Sequence, residues 1–82
     1  DRLLILMINI GEETPRQILS GIAEYYPDPS ALVGKQVPVL ANLPTRNIRG
    51  IESQGMALYV VGEDFLTTLE PAREMPAGAR VQ

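Results

Sequence analysis

The chain has 82 residues, no cysteine, no histidine and a formal net charge of −3. A chain of this length forms one small domain with a thin hydrophobic core. The missing thiols and imidazoles exclude cysteine and histidine nucleophiles, imidazole bases and zinc sites built from these ligands, so the composition argues against a self-contained catalyst. The longest apolar run, residues 3–8, is far too short to span a membrane.

Two strands are predicted at the N-terminal end of the chain. A mainly apolar stretch of strand length occupies positions 3–10 and stops at a run of turn residues, 11–15, although its leucine and methionine residues also leave a short helix possible. The second predicted strand covers residues 16–22 and is interrupted by Gly21. A glycine inside a strand is typical of a bulge or of a close approach by another backbone.

One short helix is predicted after the second strand. Asp28 is a suitable cap, Pro29 suits the first helical position, and Gly34 is suited to end the helix in the left-handed conformation. The signal predicts one to two turns, which is too short to be stable alone. We therefore expect the helix to cap a structure made of strands.

Strands are also predicted through most of the second half. Apolar residues alternate with other residues over positions 35–43, before a loop. Gly55 lies inside the strand predicted after that loop, where we expect a close approach by another backbone or a ligand. The predicted elements are a strand at 35–43, a loop at 44–50, strands at 51–61 and 65–69, and an extended coil at 70–82. The whole pattern predicts a small, mainly β barrel or sandwich with one short helix.

The charge is unevenly distributed along the chain. Residues 14–50 carry four cations and two carboxylates, whereas residues 51–82 carry two cations and five carboxylates. A net negative charge argues against nucleic-acid binding, but a mildly basic centre leaves room for it. On this distribution alone, ordinary solvated surface charge is the better interpretation.

Three segments are candidates for ligand contact. Arg46 and Arg49 lie in the predicted loop and suit phosphate, although two loop arginines alone indicate only solubility. The segment Ser53-Gln54-Gly55-Met56 offers polar groups and an adaptable apolar surface, and a barrel bend with a core methionine explains it equally well. Tyr25-Tyr26 suits base stacking less well than a role in the core.

The acidic pairs do not indicate catalysis. Glu12-Glu13 and Glu63-Asp64 lie in predicted turns without supporting ligands, and such pairs are usually solvated. Lys35 has no visible activating pocket. We therefore predict no catalytic residue, no metal site and no cofactor.

The order and spacing of several blocks resemble a known family. Ser20-Gly21-Ile22-Ala23, then Gly34-Lys35, then Asn42 with Arg46 and Arg49, and finally Ser53-Gln54-Gly55-Met56 occur in the arrangement of tRNA-binding OB-fold domains. The sequence is most similar to the domain appended to the C-terminus of bacterial methionyl-tRNA synthetases. The resemblance covers nearly the whole chain.

The resemblance implies a specific architecture. The fold would be an OB-fold, a five-stranded Greek-key barrel with one short helix, whose first barrel strand lies before Asp1. Residues 1–61 would hold barrel strands two to five and the helix. Residues 62–82 would form a C-terminal extension and a candidate dimer interface.

The resemblance also implies a function and a set of RNA-facing residues. The chain would be a non-catalytic cytoplasmic module that binds tRNA by shape, forms a homodimer and shares a longer chain with a synthetase's catalytic body, away from membranes. The alternatives are a homodimerisation module or a free-standing tRNA-binding or chaperone-like protein. The implied RNA-binding residues are Arg2, Asn42, Arg46, Arg49, Ser53 and Met56.

Overall fold

The computed structural model describes residues 2–82, which are mainly β. The strands are β1 (Leu4–Ile8), β2 (Arg16–Ser20), β3 (Val39–Leu40), β4 (Arg46–Ile48), β5 (Ile51–Ser53), β6 (Met56–Ala57), β7 (Tyr59–Val61) and β8 (Leu66–Thr68). The helical residues form two 3₁₀ helices, Ala23–Tyr25 and Pro29–Leu32. The mainly β prediction is confirmed. Among the helices described, none is long and apolar enough to cross a membrane.

Within residues 2–82 the strands pair as four antiparallel ladders: β1 with β2, β3 with β6, β4 with β5, and β7 with β8. The longest ladder extends from the pair Leu4–Ser20 to the pair Ile8–Arg16. This arrangement is consistent with the predicted OB-fold, although the ladders within residues 2–82 do not join into a closed barrel. The strand expected before Asp1 stays a prediction.

The core is small and centres on β2 and the residues that follow it. Ile18 is completely buried, and the other buried apolar residues are Leu19, Ile22, Ala23 and Ala57. The chain exposes 6251 Å², whereas a compact monomer of its mass exposes about 4,900 Å². Much apolar surface therefore remains accessible.

The predicted helix cap is confirmed, but the helix type is not the ordinary one. Asp28 Oδ1 accepts hydrogen bonds from Ser30 N at 3.2 Å and Ser30 Oγ at 2.7 Å, and Pro29 begins the helix. The helix has four residues and is 3₁₀ rather than α, as short helical segments often are. Gly34 follows at φ +87°, as predicted. The turn Ala23–Tyr25 was not predicted.

Several predicted strand boundaries are wrong. The strand predicted at 35–43 shrinks to Val39–Leu40. The one predicted at 51–61 is broken into three short strands, by a bend at Gln54 and Gly55 and by a second interruption at Leu58. Gly21 follows β2 instead of interrupting it. The loop predicted at 44–50 contains β4, because residues 46–48 pair with the following strand.

The C-terminal segment, residues 69–82, has no regular structure but is docked. Gln36 Nε2 donates to Met75 O at 2.6 Å, and Met75 N donates to Gln36 Oε1 at 2.9 Å. Lys35 Nζ lies 3.1 Å from Glu70 Oε2. The segment borders an open concavity that β1 and residues 29–42 also line. The β7–β8 ladder joins chain on both sides of the predicted 61/62 boundary.

Candidate nucleic-acid interface

The β4–β5 hairpin presents the two candidate arginines. Arg46 lies on β4 opposite Ser53, and Arg49 occupies the tip at φ +54°, followed by Gly50 at φ +83°. Two central residues with positive φ are typical of the tightest hairpin turns. Asn47 Oδ1 accepts a hydrogen bond from Gly50 N at 2.9 Å, which fixes the turn. Both arginine side chains are exposed.

Ser53 was expected to face RNA, but this residue is only 4% exposed. Its Oγ accepts a hydrogen bond from Leu19 N at 3.0 Å and donates to Gly55 O at 3.1 Å. The hydroxyl therefore connects β2 to the bend after β5, which fits a positioning role better than a direct contact with a ligand.

Gln54 continues this connection on the other side of the same bend. Gln54 N donates to Gln17 O at 2.8 Å, and Gln54 Oε1 accepts from Gln17 N at 2.9 Å. Gln17 Nε2 donates to Glu52 O at 2.8 Å. Side chains thus satisfy backbone groups where no regular ladder joins β2 to residues 52–55.

Arg16 anchors the edge of the candidate interface, and sequence reasoning gave it no role. Its Nη1 donates to Ala41 O at 2.7 Å and to Gln54 O at 3.0 Å. Its Nε and Nη2 donate to the two carboxylate oxygens of Glu12 at 3.0 and 2.9 Å. The hydrogen bond from Arg16 lowers the pKa of Glu12, an effect that its positive charge adds to and partial desolvation opposes. The fork fixes the residue before Asn42 and the bend before Met56.

The carbonyl groups that accept from Arg16 belong to Ala41, which directly precedes Asn42, and to Gln54, two residues before Met56; both Asn42 and Met56 are exposed. Met56 is on β6, directly opposite Leu40 of β3. Arg16 therefore links the segment before Asn42 to the bend before Met56, and the β4–β5 hairpin lies between these two segments in the sequence. Sequence reasoning placed Arg16 and Gln17 in a predicted strand and gave neither residue a role in the site.

Arg2 lies beyond the Leu4–Ser20 end of the β1–β2 ladder, whereas Arg16 lies at the other end. Arg2 precedes β1, is exposed, and borders a separate shallow depression with Leu3, Gly21, Ala23 and Glu24. Across the described residues, no group of three or more carboxylate, imidazole or thiol side chains is arranged to hold a metal ion.

Comparison with families and curated proteins gives a consistent result. Residues 1–80 match the family model tRNA_bind, described as "Putative tRNA binding domain". The chain is 51% identical over 82 residues to the methionine–tRNA ligase of Enterococcus faecalis, covering 99% of this chain and 12% of the ligase. It is 44% identical over 82 residues to the ligase of Methanosarcina mazei, covering 99% of this chain and 11% of that protein.

Two solved structures share the fold. The crystal structure of a MetRS-related protein from Pyrococcus horikoshii superposes with a TM-score of 0.86 at 36% identity, covering 99% of this chain and 73% of that one. The crystal structure of chaperone CsaA from Bacillus anthracis also gives a TM-score of 0.86, at 28% identity, covering 98% of this chain and 76% of that one.

Proposed function

Because the chain belongs to the tRNA_bind family of tRNA-binding domains, we propose that it is a non-catalytic module that binds tRNA by shape rather than by base sequence. One observation carries the proposal: the family match extends over residues 1–80. Exposed β surfaces suit such binding, because proteins recognise folded RNA through its shape, its backbone and its unstacked bases.

The contact surface in this proposal is the β4–β5 hairpin with its neighbours. Arg46 and Arg49 supply cations for phosphates, and Asn42 and Met56 shape the contact beside them. Ser53 acts indirectly, since its hydroxyl holds the bend between β5 and β6. Arg2, exposed before β1, would supply a further cation for phosphate.

The salt dependence of tRNA binding tests this surface. Arg46→Gln with Arg49→Asn removes both cations, and asparagine tolerates the positive φ at the turn. The double variant should bind two different tRNAs about equally more weakly, with a slope of log affinity against log salt reduced by about one per cation. Arg73→Gln with Arg80→Gln is the matched control. An unchanged slope in the hairpin variant would remove this surface from the proposal.

The larger protein, in this proposal, is a cytoplasmic methionine–tRNA ligase in which the module helps to capture tRNA for a catalytic body elsewhere in the chain. The support is the identity to two such ligases, of which this chain spans 11–12%. A fusion of the chain to a ligase body that lacks it should lower the KM for tRNA. An unchanged KM would argue against the appended role.

Self-association is a second candidate, favoured by the exposed apolar residues of the C-terminal extension. Phe65 is 66% exposed and Val81 is 79% exposed. In this candidate the extension joins two copies and RNA contact is incidental. Sedimentation equilibrium of the wild type and of Phe65→Glu with Val81→Glu decides it, because a monomer in both excludes this interface.

A free-standing tRNA-binding or chaperone-like protein is a third candidate, favoured by the superposition on chaperone CsaA. Suppression of aggregation of an unfolded test protein, measured with and without excess tRNA, separates this function from tRNA binding. No suppression at equimolar chain would argue against it.

A further inference from the structure

The turn between β1 and β2 contacts a second turn, residues 76–79, through backbone alone; we call the second one the C-terminal turn. A Cβ placed on Gly78 would clash with Ile10 O, and a Cβ placed on Gly11 would lie 2.8 Å from Ala77 O. Side chains larger than hydrogen therefore do not fit between the two turns. Two glycines thus permit a close approach between segments from opposite ends of the chain.

The C-terminal turn is itself fixed in position. Ala79 N donates to Pro76 O at 3.2 Å, which closes the turn, and Gly78 has the positive φ that one common turn type requires at its third position. Just before the turn, Met75 exchanges two hydrogen bonds with the side chain of Gln36, at 2.6 and 2.9 Å. The turn therefore presents a fixed backbone surface to the residues that follow β1.

The β1–β2 turn holds Glu12 against Arg16. Gly11 N donates to Asn9 Oδ1 at 2.8 Å. Glu12 comes next, and its carboxylate accepts from Nε and Nη2 of Arg16 at 3.0 and 2.9 Å. These two nitrogens share one edge of the planar guanidinium, so a carboxylate that binds both sets the orientation of the whole group. The position of the Gly11 backbone therefore influences how Arg16 is oriented.

The remaining nitrogen of this guanidinium, Nη1, reaches the proposed tRNA-binding surface. It donates to Ala41 O at 2.7 Å and to Gln54 O at 3.0 Å. Ala41 directly precedes Asn42, and Gln54 lies two residues before Met56. Direct contacts thus connect the C-terminal turn, the β1–β2 turn, Arg16 and the backbone beside two residues of that surface.

We propose that the C-terminal turn is a positioning element for tRNA binding, with Gly78 as its positioning residue. Its backbone holds the β1–β2 turn, that turn holds Glu12 against Arg16, and Arg16 fixes the segments that carry Asn42 and Met56. This inference rests on the proposed tRNA-binding function and gives the C-terminal extension a role within one copy of the chain. A surface that is fixed before its ligand arrives loses less entropy on binding.

Gly78→Ala tests the contact in the whole chain, and Gly34→Ala is the matched control. The two glycines have nearly the same φ, +88° and +87°, so alanine introduces similar backbone strain at both positions. Only at Gly78 does the added Cβ meet another segment, since nothing lies within 4 Å of a Cβ on Gly34.

The affinity for tRNA should separate these two variants. Gly78→Ala should raise the Kd roughly fivefold, a usual size for substitutions that act through a network of contacts. The slope of log affinity against log salt should stay that of the wild type, because no cation is removed. Gly34→Ala should bind tRNA as the wild type does.

The NMR signal of the Arg16 Nε–H group reports the position of the guanidinium directly. In isotopically labelled protein, this signal is assigned by its loss in Arg16→Lys. Its chemical shift should be the same in the wild type and in Gly34→Ala, and it should move in Gly78→Ala, where the contact with Glu12 is disturbed. A substitution that only lowered stability would leave the shift of the folded state unchanged.

Gln36→Ala tests the C-terminal turn from its other side, without backbone strain. It removes both hydrogen bonds to Met75, and it should raise the Kd and move the Arg16 signal in the same direction as Gly78→Ala. Gln82→Ala, at an exposed position beyond the turn, is its control. Gln36→Ala decides the question if circular dichroism shows that Gly78→Ala does not fold.

The outcomes separate the positioning role from the function on which it rests. A wild-type chain that does not bind tRNA overturns both together. If the wild type binds, an unchanged Kd in Gly78→Ala and Gln36→Ala overturns the positioning role alone. A raised Kd with an unmoved Arg16 signal also overturns it, because the effect then does not pass through Arg16. A raised Kd with a changed sedimentation mass of the RNA-free protein assigns the effect to contact between copies and overturns it as well.

Discussion

Gln17 and Gln54 satisfy each other's backbone N–H groups by two different means. The N–H of Gln54 donates to the main-chain oxygen of Gln17 at 2.8 Å, and the N–H of Gln17 donates to the side-chain oxygen of Gln54 at 2.9 Å. The second bond replaces a ladder bond at the point where the chain leaves β5. The amide side chain thus supplies the acceptor that a continued strand would have offered.

Gln54→Ala should destabilise the fold because it leaves Gln17 N without its acceptor. The loss of one partner from a part-buried hydrogen bond costs about 1–2 kcal/mol. The measurement is the urea midpoint followed by circular dichroism, with Gln82→Ala at the exposed C-terminus as the control. Identical midpoints for the two variants would show that water replaces the side chain at no cost.

Arg16→Lys should weaken tRNA binding and lower the melting temperature, although the net charge is unchanged. One ammonium group does not reproduce the fork that donates to Ala41 O, Gln54 O and Glu12 together. The control is Arg73→Lys in the exposed C-terminal segment. If both lysine variants behave as the wild type, the fork does not position the interface.

Gly55→Ala should be among the most damaging single substitutions. Its φ of +152° is unfavourable for alanine, and the added Cβ would meet Leu40 O at 2.9 Å. Such backbone strain costs about 1–3 kcal/mol before the clash is included. Gly34→Ala is the matched control, because Gly34 also has positive φ but has no atom within 4 Å of the added Cβ. Equal decreases in the melting temperature of the two variants would show that the close approach to Leu40 O costs no stability.

Glu70 should contribute to the acid limb of the stability curve. The hydrogen bond from Thr68 Oγ1, and then that from Lys35, lower the pKa of Glu70 below its ordinary value, against a smaller effect of desolvation. A carboxyl with a lowered folded-state pKa stabilises the fold above its unfolded pKa of about 4.3, and this contribution disappears as the pH falls through the folded value.

Glu70→Gln should therefore lower stability at pH 6 and match the wild type near pH 2, which flattens the acid limb. Urea unfolding at several pH values measures the effect. Glu74→Gln, an exposed neighbour, is the control for the loss of one negative charge. The same change of slope in both variants would assign the effect to net charge rather than to the Thr68 and Lys35 contacts.

The sequence predicted features whose causes are local. The apolar run gave β1, the Asp28-Pro29 pair gave the capped helix, and the glycine in residues 51–61 indicated the close approach at Gly55. Each of these features depends on residues that are neighbours in the sequence, so the local sequence pattern is enough to indicate it. The predicted RNA-facing set and the 61/62 boundary stay predictions.

The features that the sequence did not predict depend on distant partners. Ser53 is buried because its hydroxyl meets Leu19, which is 34 positions away, and Arg16 reaches Gln54 across 38 positions. Residues 46–48 form a strand only because residues 51–53 pair with them. The local sequence around a polar residue does not indicate which distant backbone group its side chain will bind.

The side-chain hydrogen bonds that connect β2 to residues 52–55 make this part of the fold sensitive to mutation. A backbone ladder tolerates nearly any residue, because its hydrogen bonds belong to the main chain shared by all amino acids. The hydrogen bonds made by Ser53 Oγ, Gln54 Oε1 and Gln17 Nε2 depend on the identity of these three residues. A single substitution at one of these residues would therefore loosen the bend before Met56. The affinity of this surface for its ligand could change in this way during evolution while its exposed residues stay the same.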